Sequence, residues 1–254
     1  MVTTGAPPVP GAPVRGAAAW LRFLAGFAVL WAVLQGLAAL DPIARWGLAV
    51  LAAVLVVGLV VERVLHGVPP RRARRSLGFG RPAARSLVLA AVVSGLVLLV
   101  LPAAEALGLG PITLRPGWPL LLVGVFALHG LAEELVWRGY AFRRLRAGRS
   151  FPRAAAWTMP LVAVTHVPIL VTSGVAVGLG AMAVAATTSV PFAYLFETGR
   201  GTLWGPALLH TAIDAFKLVE IPVAAVPAFS MLLVGVSILV PLLALAVPRR
   251  VLER

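Results

Sequence analysis

Residues 154–196 contain no Asp, Glu, Lys or Arg. About 20 apolar residues suffice for one helix to cross the hydrocarbon core of a bilayer. A run of this length therefore predicts two spans with a turn between them, and Thr172-Ser173-Gly174 is the natural turn. Further apolar stretches lie at 17–40, 46–61, 86–104, 118–136, about 202–218 and 226–247. Together they predict an all-α polytopic membrane protein with about eight transmembrane helices in one bundle. Composition agrees: 60% of the residues are hydrophobic and 12% are charged, and mean hydropathy is +0.98. A soluble domain carries about a quarter charged residues. A soluble globular enzyme, a disordered chain and a disulfide-stapled secreted domain are excluded. The chain has no cysteine, so thiol nucleophiles and cysteine metal sites are excluded as well.

Four segments are expected along the chain. Residues 1–16, rich in Pro, Gly and Ala, read as a disordered tail. Residues 17–108 hold the first three spans, 118–218 hold spans four to seven, and 226–247 form the last. No internal repeat is visible.

Lysine and arginine number 22 against 9 acidic residues, a formal charge of +13. In so apolar a chain this excess reads as membrane orientation, and nucleic acid is not an expected partner. The lipid bilayer is. Arginines cluster at 63–85, 138–153 and 249–254. Eight spans with a cytoplasmic N-terminus place all three clusters on one side, together with Arg15, Arg22 and Arg200. Only Arg45, Arg115 and Lys217 fall on the other. The expectation is a multi-pass cell-membrane protein with both termini cytoplasmic. Every basic residue except Lys217 is arginine, which fits a GC-rich, bacterial source.

Ionisable side chains inside a span are costly, and they usually mark function. Here they gather in three helices: His129, Glu133 and Glu134 in span four with Arg138 just beyond, His166 in span five, His210 and Asp214 in span seven. On an ideal helix Glu134 and Arg138 lie about 40° apart, whereas Glu133 and Arg138 lie about 140° apart. Arg138 is thus expected to pair with Glu134, leaving Glu133 to face a cavity. His129 with Glu133, and His210 with Asp214, are also i,i+4 pairs on a shared face. Taken singly, each has a plain reading: a helix-stabilising ion pair, a packed histidine, an interhelical polar lock. Their coincidence in successive helices points to one site in a hydrated cavity open to the cytoplasmic side. Inward-facing Glu, His and Asp also build proton relays, so a transporter or a non-enzymatic scaffold is the rival class.

Glu133-Glu134-Leu-Val-Trp-Arg138-Gly139 resembles the E-E-x-x-x-R signature of the CAAX protease and bacteriocin-processing enzyme (CPBP, or Abi) family of intramembrane proteases. His166 resembles the histidine of that family's F-x-x-x-H motif, with Val162 in place of the phenylalanine. His210-Thr-Ala-Ile-Asp214 resembles its H-x-x-x-N/D motif. The resemblance covers about residues 118–216. It implies a membrane-embedded endopeptidase acting on a peptide or a membrane-anchored protein. It further implies catalytic roles for Glu133, His166, His210 and Asp214, with Glu134, Arg138 and His129 in support. By that resemblance Glu133 activates water with help from His166, while His210 and residue 214 stabilise the oxyanion. An ionised Asp214 only accepts hydrogen bonds. Either it is protonated, or it orients His210, or the site holds a metal. The expected cofactor is accordingly none or Zn²⁺, with Glu133, His166, His210 and Asp214 as the ligand set.

Overall fold

The computed structural model describes residues 13–252. Most of the expected tail, residues 1–12, lies outside the described residues. Of the rest, Val14 is buried, and its carbonyl accepts a hydrogen bond from Arg149 Nη2 at 2.7 Å.

The helices are α1 (Ala17–Ala39), α2 (Gly47–His66), α3 (Pro70–Ser76), α4 (Ala84–Ala106), α5 (Trp118–Arg146), α6 (Phe151–Thr172), α7 (Val175–Thr198), α8 (Trp204–Ile213), α9 (Val223–Ala246) and α10 (Arg249–Leu252). Seven of the described helices are long and apolar enough to cross a membrane. The protein is an all-α polytopic membrane protein. The turn between α6 and α7 falls at Ser173–Gly174.

α8 is too short to cross alone, at 10 residues. It continues as a tighter 3₁₀ segment, Asp214–Leu218. At its start, Leu203 N–H bonds to the Gly78 carbonyl, and Trp204 Nε1 donates to the Gly80 carbonyl. At its end, Lys217 Nζ donates to the Pro42 carbonyl. There also β1 (Thr113–Leu114) pairs antiparallel with β2 (Val219–Glu220), with Thr113 opposite Glu220. The α2–α4 connection and the α4–α5 connection lie at opposite ends of α4. Trp204–Leu218 therefore runs from one end of the bundle to the other and makes an eighth passage. The segments 66–83, 146–151, 197–203 and 247–252 share the arginine-rich end.

One helix differs from the rest in burial. Of the apolar window of α5, 67% is buried, against 22–33% in the other spans. α5 is the axis of the bundle. Its neighbours turn residues such as Leu21, Leu48, Val56, Val92 and Met231 outward, a surface suited to lipid tails. Without a hydrophobic drive between helices in lipid, close contact depends on small residues. At Gly124 of α5, an added Cβ would lie 1.8 Å from the Ala44 carbonyl oxygen.

α5 also extends ten residues past the span expected at 118–136. The arginine cluster beyond that point reads as an orientation signal, yet Arg143 and Arg144 are buried along with Arg138, the expected partner of Glu134. Arg138, Arg143 and Arg144 are 1%, 3% and 5% exposed. Arg143 and Arg144 each reach a Glu62 oxygen at 2.6 Å, and Glu62 is itself fully buried. The Glu62 carboxylate from α2 offsets part of the cost of burying the two guanidinium groups.

Candidate active site

The polar residues of α5 sit where its turns widen. Phe126–Ala132 and Leu135–Phe142 are π-helical, and π-turns inside α-helices are frequent at functional sites. Glu133 and Glu134 lie between the two widened segments. Arg138 Nη1 donates to Glu134 Oε1 at 2.9 Å, the i,i+4 pairing expected from spacing. The pair is sealed, with side-chain exposures of 1% and 0%. The Arg138 guanidinium also lies over the Phe192 ring, 4.7 Å from its centroid. That cation–π contact supports a charge whose Nε and Nη2 have no hydrogen-bond partner among the described residues.

α8 supplies the facing residues. Pro206 stands near its start and leaves the rest of the helix regular, so His210 and Asp214 project one turn apart. His210 Nδ1 donates to Glu134 Oε1 at 2.8 Å. Its Nε2 then faces Glu133 Oε2 at 3.6 Å and Asp214 Oδ2 at 3.5 Å. A neutral ring donating from Nδ1 would turn a bare lone pair towards two carboxylates. An imidazolium would donate from both nitrogens, to Glu134 through Nδ1 and towards the two carboxylates through Nε2.

His129, expected only in a supporting role, makes the shortest contact to Glu133. Its Nδ1 lies 2.6 Å from Glu133 Oε1 and 3.4 Å from Asp214 Oδ2. α5 and α8 can approach this closely because residue 130 is glycine. A Cβ there would meet Thr211 Oγ1 at 2.7 Å and the Ala207 carbonyl at 3.0 Å.

His166 stands apart from this cluster. It occupies the break in α6 between Val164 and Val167, where Pro168 follows and removes a backbone donor. Its Nδ1 donates to the Val162 carbonyl at 2.9 Å. Among the described residues it has no hydrogen bond or ion pair to Glu133 or His210. It meets the cluster through Trp137, whose ring centroid is 5.6 Å from that of His166 and 5.7 Å from that of His210. Sequence reading passed over Trp137, although it lies i,i+4 from Glu133 within the same motif. Phe192 of α7 was also passed over, and no local signal marks it.

Exposure grades across the site. The side chains of Glu133, His210 and Asp214 are 14%, 13% and 17% exposed, against none for Glu134. Glu134 and Arg138 lie on the arginine-rich side of Glu133 along α5. His129, and Asp214 on α8, lie on the other side. The residues towards the expected cytoplasmic opening are thus the sealed ones.

The expected zinc ligands do not fit the ion in this arrangement. Zinc needs three or four N or O donors turned to one point. Among the described residues no three His, Asp or Glu side chains are so arranged. His166 is committed to Val162, and the Nδ1 atoms of His129 and His210 are committed to glutamates.

A family model described as type II CAAX prenyl endopeptidase Rce1-like matches residues 115–216, about two fifths of the chain. No curated protein and no solved structure matches the chain. The matched segment runs from the start of α5 to the 3₁₀ segment after α8, and contains His129, Glu133, Glu134, Arg138, His166, His210 and Asp214. Over residues 115–216 the chain is similar to the Rce1-like type II CAAX prenyl endopeptidases, in line with the resemblance carried by its motifs.

Proposed function

We propose that this protein is an intramembrane endopeptidase that hydrolyses a peptide bond near the membrane by carboxylate-activated water. One observation carries the reading. The Glu133 carboxylate is partly reachable, held between two imidazoles, and set beside a second carboxylate already neutralised by Arg138. Glu133 accepts a proton from water as the oxygen attacks the scissile carbonyl, and returns it to the leaving amine. His210 is held by Glu134, and its Nε2 is the donor available to the developing oxyanion. Asp214, an acceptor at 3.5 Å from that nitrogen, orients the ring. His166 lies on the far side of Trp137 from His210. The substrate is a peptide or a membrane-anchored protein, since a site buried among spans reaches bonds at membrane depth.

The test uses purified protein in proteoliposomes with two probes, a farnesylated CAAX peptide and an unlipidated membrane-spanning peptide. Cleavage of either probe is expected. Replacing Glu133 by Gln should lower it about 100-fold or more, the usual contribution of a general base. A Glu133→Gln protein that folds and still cleaves would overturn the reading and favour a proton relay. A chelator arm accompanies the assay: loss of cleavage that added Zn²⁺ restores would replace the water-only mechanism with a metal-dependent one.

A further inference from the structure

We propose that His129 is a positioning residue of this site, matched to the aspartate at 214: its Nδ1–H holds the Glu133 carboxylate while bridging to Asp214. The proposal rests on Glu133 being the base.

Three observations carry it. The first is reach. Glu133 Oε1 lies 2.6 Å from His129 Nδ1, closer than the 3.6 Å between Glu133 Oε2 and His210 Nε2. Of the two imidazoles, His129 is the one in hydrogen-bond range of the base.

The second is burial. His129 is 9% exposed, and its Nε2 is buried with no hydrogen-bond partner among the described residues. A residue present for packing alone would be better served by an apolar side chain, which leaves no buried nitrogen unmet. Among the described residues, the polar contacts of this ring run through Nδ1. Assigning the hydrogen there satisfies the carboxylates and leaves Nε2 as the bare acceptor, the cheaper atom to bury alone.

The third is the chemistry of position 214. An ionised aspartate brings a second set of acceptors to the nitrogens that serve Glu133: His129 Nδ1 at 3.4 Å and His210 Nε2 at 3.5 Å. Two carboxylates meeting without donors between them repel. An asparagine would bring its own N–H₂ to the cluster. An ionised carboxylate has no hydrogen to give, so the donor comes from elsewhere, and His129 supplies it across the α5–α8 contact that Gly130 permits.

The test is a cycle of His129→Leu and Asp214→Asn, assayed in proteoliposomes with whichever probe the unmodified protein cleaves. With Asp214 present, His129→Leu should lower kcat about tenfold or more and leave KM nearly unchanged. In the Asp214→Asn background, the same replacement should cost under about threefold, because the amide takes over the donor role. Two more variants separate donation from packing. The His129→Asn amide nitrogen falls where Nδ1 was, so this variant should keep most of the activity. The His129→Gln amide falls at the place of Nε2, so this variant should not. Melting temperature in detergent is read for every protein. If His129→Leu fails to fold, the contrast between the His129→Asn and His129→Gln variants decides the matter. Equal losses in both backgrounds, or equal activity of those two variants, would sink the proposal. Glu133→Gln runs alongside. Cleavage surviving in that variant overturns the base assignment itself, whereas an inactive Glu133→Gln with an indifferent position 129 overturns only this inference.

Discussion

His210 Nδ1 donates to Glu134 Oε1 at 2.8 Å, the same oxygen that Arg138 Nη1 holds at 2.9 Å. Glu134 therefore does more than neutralise an arginine on its own helix. It sets the direction in which the His210 ring points, and so which nitrogen faces Glu133. Helical spacing assigned it Arg138 alone, since a partner on α8 is invisible to spacing within α5.

The two adjacent glutamates should consequently fail in different ways. Glu134→Gln leaves Arg138 buried without its counter-charge, and breaking a buried pair costs about 3–5 kcal/mol. Melting temperature in detergent should drop markedly, and kcat should fall because His210 loses its anchor. Glu133→Gln removes a partly exposed group and should leave the melting temperature close to that of the unmodified protein while abolishing turnover. The same melting temperature for both variants would contradict the division of roles.

Glu62 offers a contrast far from the reaction. It joins α2 to the end of α5 through Arg143 and Arg144, and all three side chains are buried. Glu62→Gln should destabilise the protein by about 3–5 kcal/mol, the range for an uncompensated buried charge. The folded fraction should keep its kcat, since the Glu62 carboxylate is held by Arg143 and Arg144 and not by the Glu133 cluster. Thermal unfolding followed by fluorescence, with activity normalised to folded protein, checks both halves. A large loss of kcat in folded Glu62→Gln protein would show that the clamp is coupled to the site.

The eight passages predict which segments share a side of the membrane. Because the chain has no cysteine, single substitutions give a clean labelling background. Cysteines at Arg72 and Arg250 should be labelled from the same side by an impermeant maleimide, and one at exposed Leu107 from the opposite side. The positive-inside rule makes the Arg72 side cytoplasmic. Labelling of Arg72→Cys and Arg250→Cys from opposite faces would rule out the passage made by Trp204–Leu218.

Hydropathy is a local property, and what depends on it was readable from the residues alone. The turn at Thr172-Ser173-Gly174, the bounds of α1 and α9 to within a few residues, and the common end of the arginine clusters follow from composition over a window of about 20 residues. The Glu134–Arg138 pair was readable too, because i,i+4 contacts belong to one helix. What tertiary structure decided concerns partners distant along the chain. Arg143 and Arg144 look like orientation charges until Glu62 of α2 is placed beside them. A stretch at 202–218 looks like an ordinary span, yet only the anchors at Gly78, Gly80 and Pro42 show how a 10-residue helix and a 3₁₀ segment complete the passage. His129 looks like a packing histidine until Asp214 meets the same nitrogen, and His166 looks central until Trp137 stands beside it. The physical reason is common to these cases. Burying a charge or a histidine is favourable or ruinous according to what faces it, and the facing group is supplied by another helix.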